Sequence, residues 1–294
     1  MTPHDVWRSW NLQPPLLAGL VLAALAYWRG VDLLWRPGRA PRSPPRGVGA
    51  WRVVAFAGGL FALFVALVSP LDRMSEQLLS AHMVQHLLLI VVAAPLLVLG
   101  SPALVIGRAV PASWRRRARR WGRAKPMHGI GRILTHPLCT WLMATVVLWV
   151  WHVPSPYQAA LEHQTVHVLE HAAFLVTAVL FWWTALQPSG PRRLPRGADV
   201  VYVFTGALQS GALGALLVFA AEPIYPFYLH RGAGWGLTAL QDQQLAGLLM
   251  WVPTFVIYLV AAGALFVRWL RVAELEARRG EARAAKLLAE VPRR

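Results

Sequence analysis

Seven apolar segments run along the sequence, and each is about long enough to cross a lipid bilayer as a helix. The hydrocarbon core of a bilayer is about 30 Å thick and needs about 20 predominantly apolar residues. The weakest segment is the first, which Arg29 and Asp32 interrupt, although an arginine near a helix end can extend its charge to the membrane surface. The segments are residues 16–34, 51–69, 78–99, 138–153, 166–186, 200–221 and 245–267. The pattern predicts an all-α fold, a polytopic membrane helix bundle with seven transmembrane helices.

The composition excludes most other classes of protein. Hydrophobic residues make up 56% of the 294 residues and charged residues only 14%, whereas about 25% of a soluble domain is usually charged. The same apolar fraction excludes intrinsic disorder. Cys139 is the single cysteine, so a disulfide scaffold and a metal motif built from paired cysteines are both excluded.

The distribution of positive charge predicts how the chain is oriented. The net charge is +16, which in a soluble protein would indicate a nucleic-acid surface. Segments 1–15, 70–77, 154–165 and 222–244 hold only three of the 29 basic residues, and the alternate loops and the tail hold 26. Because basic residues accumulate in cytoplasmic loops, this asymmetry predicts an outer N-terminus and a cytoplasmic C-terminus.

The predicted topology suggests a role for two basic segments. The run at residues 114–125 is interpreted as a topology anchor that meets the headgroups of anionic membrane lipids, and no nucleic-acid partner is expected. We divide the chain into a seven-span transmembrane domain, residues 1–270, and a cytoplasmic basic amphipathic tail, residues 271–294. Residues 274–290 are expected to form a surface helix of mixed charge that is interrupted at Gly280.

Histidines concentrate on the predicted outer side. His82 and His86 are four residues apart in the third segment, and His163, His167 and His171 follow the same spacing in the fifth. Residues four apart share one face of a helix, and imidazole is the commonest metal-ligating side chain. His152 is placed at the outer end of the fourth segment. A single such histidine is often only a hydrogen-bonding or interfacial residue, which is the default interpretation for His230, but two pairs entering from one side predict a metal or cofactor site.

The residues beside these histidines favour copper among the metals that imidazole binds. Zinc, copper, iron and nickel all accept imidazole, and the soft thioether of Met83 favours copper. The carboxylates of Asp72, Glu170 and Asp242 are candidates either for ligands or for hydrogen-bond acceptors that orient the imidazoles. Because the chain has no pair of cysteines to supply thiolate ligands, the site is expected to bind metal weakly enough to release it to another protein.

Several other functions use histidines in a membrane. Two helices could hold haem between His86 and His171, and a membrane-embedded zinc-dependent hydrolase could use Asp72 or Asp242 as its base. A di-iron desaturase usually adds an H-x-x-H-H box, which is absent. A transporter needs ligands through the inner half of the membrane, where only Met143 and Cys139 are found. Histidines of purely structural importance in a scaffold are the alternative without a metal.

Several recognisable motifs lie in three stretches of the sequence. The motif H-M-x-x-H is in residues 81–102, W-H-x-P and H-x-x-E-H are in residues 151–183, and a late D-Q-Q segment is in residues 242–253. In these motifs the sequence resembles the CtaG family of integral membrane cytochrome c oxidase assembly factors. The resemblance implies a non-enzymatic, multi-pass protein of the bacterial plasma membrane that helps to build a haem–copper oxidase, by delivering copper to its outer side. Its partners would be the oxidase subunits, with a copper chaperone as a further candidate.

The resemblance also implies a set of ligands. It comprises His82, His86, His152, His167, His171 and Asp242, and Met83 lies within the first motif, whereas His163 lies outside the pattern. We expect an outer cavity between spans three, four, five and seven that holds one or two copper ions. Asp72 is expected beside the ligands or where the metal enters, and zinc and haem remain the alternatives.

Overall fold

The computed structural model describes residues 6, 8–35, 48–123, 125–186, 194–195 and 197–290, and this part of the chain is helical without strands. Parts of two predicted basic loops, residues 36–47 and 187–193, and the last four residues of the tail lie outside the described residues. The helices are α1 (Pro14–Trp35), α2 (Ala50–Leu67), α3 (Leu71–Ser75), α4 (Leu79–Leu99), α5 (Pro102–Ala109), α6 (Ala112–Arg123), α7 (Lys125–Leu134), α8 (Pro137–Trp151), α9 (Pro154–Glu162), α10 (Gln164–Leu186), α11 (Ala198–Phe219) and α12 (Ala239–Glu290).

Six of these helices are long and apolar enough to cross a membrane, namely α1, α2, α4, α10, α11 and α12. The fourth predicted segment is different, because α8 and α9 form a pair bent by 73° at the break before Pro154. Counted as one span, the pair brings the number to seven. The predicted polytopic all-helical fold is therefore confirmed, with six to seven candidate spans, and the bend sets His152 at the corner between two short helices.

Helix α4 changes its winding two residues after His86. Residues Leu88–Ala93 form a π-helical turn, which is rare and is frequently found at functional sites. Pro95 follows at the start of the next α-helical stretch and has no N–H to donate to the preceding turn, so the regular hydrogen-bond ladder is broken there. The side chain of Trp182 donates to the carbonyl of Ile90 at 2.9 Å and ties this turn to α10.

Two glycines let α11 and α12 approach each other closely. A Cβ atom on Gly247 would lie 2.7 Å from the carbonyl oxygen of Gly214, and one on Gly214 would lie 2.9 Å from that of Gly247. Small residues let the backbones of membrane helices approach closely, which gains van der Waals contact where lipid supplies no hydrophobic driving force. This contact sets the position of α12 against the bundle.

An aromatic core fills the half of the bundle away from the histidines. The ring centroids of Phe181 and Tyr202 are 4.6 Å apart, and those of Trp182 and Tyr258 are 5.0 Å apart. The hydroxyl groups of Tyr202 and Thr140 are within hydrogen-bond distance at 3.0 Å, so the polar group of this buried tyrosine is satisfied. Side chains fill this half of the bundle, and the predicted histidine pairs lie at the other end of α4 and α10.

The last helix is longer than expected. Helix α12 contains 52 residues, about 78 Å at 1.5 Å per residue, and passes residue 270 without a break. The predicted interruption at Gly280 is wrong. A glycine inside a helix costs only about 1 kcal/mol relative to alanine, and the neighbouring alanines, glutamates and arginines are good helix formers.

Candidate metal centre

The first turns of α4 and α10 bring the two predicted histidine pairs together. His82 and His86 lie on α4, and His167 and His171 lie on α10 together with Glu170. The ring centroid of His82 is 5.4 Å from that of His167 and 5.9 Å from that of His171. The pairs therefore meet from two facing helices, as the spacing predicts.

Four of these residues form a compact donor set. Ligand atoms of His82, His167, Glu170 and His171 all lie within 4.8 Å of one another. Metal–ligand bonds of about 2.1 Å in a tetrahedral site place ligand atoms about 3.4 Å apart, so small side-chain rotations would complete the site. We call these four residues the His/Glu cluster.

Glu170 is the residue that most requires a partner. Its side chain is fully buried, and neither carboxylate oxygen has a hydrogen-bond partner among the described residues. Nε2 of His82 and Nε2 of His86 each lie 3.6 Å from one of these oxygens. A buried carboxylate is costly unless a proton, a cationic side chain or a metal compensates its charge. Its surroundings offer imidazole nitrogens that are themselves unpartnered, which is the chemistry of a metal site.

Tyr228 determines which nitrogen of His82 is available. The Tyr228 hydroxyl donates to the carbonyl of Ser75 at 2.7 Å and lies 3.3 Å from Nδ1 of His82. Burial raises the pKa of the Tyr228 hydroxyl, so it stays a neutral donor. Because its hydrogen is used by Ser75, its oxygen accepts from Nδ1–H, and the lone pair of His82 is left on Nε2, facing Glu170. Sequence reasoning missed Tyr228, which lies 146 residues away along the chain.

Asp242, a predicted ligand, holds the start of α4 instead of meeting an imidazole. Its carboxylate accepts from the backbone N–H groups of Leu79 at 2.6 Å and Ser80 at 3.1 Å, and from the hydroxyl of Ser80 at 2.5 Å. A carboxylate at a helix N-terminus satisfies unpaired N–H groups and favours the helix dipole. Asp242 therefore positions the turn that carries His82.

Asp72 is likewise engaged by hydrogen bonds. Asn11 donates to one of its oxygens at 2.7 Å and Gln85 to the other at 3.0 Å. Gln85 is on α4, between the two histidines of that helix, and also donates to the carbonyl of Ala66 at 2.7 Å. Asp72 thus connects α3 to the histidine-bearing part of α4 and lies outside the His/Glu cluster.

The remaining predicted ligands line a second space. His152, Met83 and His86 border a cavity of about 40 Å³ that is also lined by residues of α11, so the sixth span contributes as well as the four that we expected. The ring centroids of His86 and His152 are 5.8 Å apart. His163 and His230 are exposed, and neither belongs to the His/Glu cluster.

A cleft of about 330 Å³ connects the His/Glu cluster with the surface. His167 and His171 line its inner part, and Asp72, Asn11 and Gln164 are among its polar lining residues. His167 is only half-buried, whereas the other three cluster residues are buried. Of the four, His167 is therefore the most exposed, and it lines the cleft together with the buried His171.

The chain matches a known protein family along most of its length. The family model of the cytochrome c oxidase caa3 assembly factors matches residues 25–272. The chain belongs to this family. The resemblance seen in the sequence motifs is therefore confirmed, and the His/Glu cluster lies inside the part of the chain that matches the assembly factors.

The chain is also similar to curated mycobacterial proteins. It is 25% identical over 290 residues to the uncharacterized protein Mb0105 of Mycobacterium bovis and to the uncharacterized protein MT0111 of Mycobacterium tuberculosis, covering 92% of this chain and 43% of each relative. The uncharacterized protein ML1998 of Mycobacterium leprae is 24% identical over 271 residues, which is 90% of this chain and 40% of that protein. The chain thus spans less than half the length of these relatives. No solved structure matches it significantly.

Proposed function

We propose that this assembly factor binds copper at the His/Glu cluster, on the outer side of a bacterial plasma membrane, and passes it to a haem–copper oxidase. Membership of the caa3 assembly-factor family indicates a role in building cytochrome c oxidase. The observation that carries the copper proposal is the fully buried Glu170 carboxylate, surrounded by imidazole nitrogens that have no hydrogen-bond partner in the part of the chain that the structure describes. In this proposal the metal is a cargo, and the protein is not an enzyme.

The donor set suits a divalent ion. Three neutral imidazoles and one carboxylate carry a single negative charge, which offsets part of the charge of a divalent ion in a buried site. Imidazole and carboxylate ligands are found with zinc and with copper(II), so the donors by themselves admit both metals. The construction of a copper-containing oxidase is what favours copper in our proposal.

The arrangement also supports transfer. A metal held without thiolate ligands, with the half-buried His167 beside a cleft, can be reached by a donor or an acceptor protein. We propose oxidase subunits as the acceptor and a copper chaperone as a candidate donor. On the opposite side of the membrane, the exposed Trp114 and Trp121 of the arginine-rich helix α6 suit contact with anionic lipid headgroups.

The two alternatives find less support in this geometry. Cofactor pockets usually measure about 300–1,000 Å³, whereas the cavity beside His86 measures about 40 Å³, which is small for a haem bound between His86 and His171. Both carboxylates considered as the base of a zinc hydrolase, Asp72 and Asp242, already accept hydrogen bonds.

Metal analysis of the purified full chain tests the proposal. After loading with copper(II) and removal of excess, the wild-type protein should retain it, and Glu170→Gln should weaken binding at least about tenfold. His163→Asn, which changes an exposed histidine, is the matched control and should bind as the wild type does. Copper retention that is equal in Glu170→Gln and wild type would refute the site, and exclusive retention of zinc would refute copper as the cargo.

A further inference from the structure

The cavity of about 40 Å³ beside the His/Glu cluster is enclosed by α4, α8, α10, α11 and α12. Its lining includes four side chains with metal-binding atoms: His86, His152, Met83 and Met250. All four are at least nine-tenths buried. Met250 lies within the third motif stretch, residues 242–253, but outside the ligand set that the resemblance implies, and the packing of α12 brings it here.

His152 presents a free lone pair in this region. Its Nδ1 lies 2.7 Å from the carbonyl oxygen of Leu148. A carbonyl oxygen can only accept, so Nδ1 carries the hydrogen and the lone pair must be on Nε2. That Nε2 atom is buried and has no hydrogen-bond partner among the described residues. The Tyr225 hydroxyl donates to the carbonyl oxygen of His152 at 2.9 Å, which helps to hold this residue at the corner before α9.

The donors around this cavity differ in kind from those of the His/Glu cluster. Two thioethers and two imidazoles are soft or intermediate ligands, and none carries a charge when the imidazoles are neutral. No Asp or Glu among the described residues lines the cavity. A neutral buried site compensates none of an ion's charge, so it favours a monovalent ion over a divalent one.

We propose that Met83, His86, His152 and Met250 form a second metal site, selective for a soft monovalent ion such as copper(I). It goes beyond the copper(II) binding proposed for the His/Glu cluster and does not depend on it. His86 borders both sites, since its Nε2 is 3.6 Å from Glu170 and its ring lies 5.8 Å from that of His152. An ion could therefore occupy the deeper site while the His/Glu cluster holds another.

Silver(I), which has the charge and softness of copper(I) without its air oxidation, is the probe. We expect the purified full chain to bind silver(I), and Met250→Leu and Met83→Leu each to weaken that binding at least about tenfold, because leucine keeps the volume but lacks sulfur. Met143→Leu is the matched control, since Met143 is a half-buried methionine of α8 that does not line the cavity. Sulfur scattering in the X-ray absorption spectrum of protein loaded with copper(I) provides an independent measurement.

The outcomes separate the two sites. Glu170→Gln should lose copper(II) and keep silver(I), whereas Met250→Leu should do the reverse. Silver(I) affinity unchanged in both methionine variants, or a copper(I) spectrum without sulfur, would overturn the second site. A third outcome is that the wild type binds silver(I) and retains no copper(II), and that Met250→Leu weakens the silver(I) binding. This result would refute the proposed function and support the second site.

Discussion

One carboxylate oxygen of Glu170 lies 3.6 Å from Nε2 of His82, and neither atom has a hydrogen-bond partner among the described residues. Both side chains are completely shielded from solvent. Leaving a polar group unpaired in such a place costs about 1–3 kcal/mol, and more for a charged group. A ligand placed between these atoms would remove that cost, so binding and stability are expected to be coupled at this pair.

Glu170→Gln should have opposite effects on the metal-free and the metal-loaded protein. Without metal, it replaces a buried carboxylate by a neutral amide and should leave Tm unchanged or raise it. With metal at 100 times Kd, the wild type should gain about 2.7 kcal/mol, and the variant should gain far less. Thermal unfolding in detergent with and without copper(II) measures both. Glu162→Gln, at an exposed carboxylate, is the control, and an equal metal-induced rise in all three proteins would contradict the prediction.

Tyr228→Phe should weaken metal binding and also destabilise the protein by about 1–3 kcal/mol, because the carbonyl of Ser75 and Nδ1–H of His82 lose their partner. The change removes the hydroxyl group that orients His82, and loss of a group that orients a metal ligand typically costs about 10–100-fold in affinity. Tyr225→Phe is the matched variant, because the Tyr225 hydroxyl bonds the backbone carbonyl of His152 and not an imidazole. Copper(II) titration of both proteins checks the expectation, which fails if the two variants bind alike.

Asp242→Asn should destabilise the protein by about 1–2 kcal/mol, because it weakens the bonds to the N-terminus of α4. Copper(II) affinity should also fall, since the turn that carries His82 becomes less well positioned. Thermal unfolding and metal titration give the two quantities. Glu222→Gln removes an exposed acidic charge as the control, and a variant as stable as wild type would show that the cap is unimportant.

Gly247→Ala should destabilise the bundle by roughly 1–3 kcal/mol, because its Cβ would lie 2.7 Å from the carbonyl oxygen of Gly214. Gly263→Ala on the same helix is the control, since its Cβ would meet nothing within 4 Å. That change should stabilise the protein by about 0.4–1 kcal/mol through the entropy of the unfolded chain. Thermal unfolding should therefore show a Tm below that of the wild type for Gly247→Ala and above it for Gly263→Ala. Equal Tm values would refute the close packing of these glycines.

The predicted orientation can be tested by labelling single cysteines in cells. In a Cys139→Ser background, a membrane-impermeant maleimide should label Ser155→Cys and should not label Arg120→Cys until the membrane is opened. The reason is the excess of basic residues in the loops that include residue 120. The opposite labelling pattern would reverse the orientation and move the His/Glu cluster to the cytoplasmic side.

The sequence by itself determined the features that depend on local spacing. The lengths of apolar segments predict helices that can cross a bilayer, and a separation of four residues places His82 beside His86 and His167 beside His171 on shared helix faces. Glu170 was identified as a candidate carboxylate, and its position three residues after His167 on a helix indicates that it shares that face. The family motifs were also readable without a structure.

Only the tertiary structure decided which donors share a site. The rotation and approach of α4 and α10 place Glu170, and not Asp242, among the imidazoles, and the bend before Pro154 turns His152 toward a separate cavity with Met250. Asp242 instead caps a helix that begins 163 residues earlier in the chain. Such contacts depend on how rigid helices pack, and the spacing of residues within one helix carries no information about the distance to another.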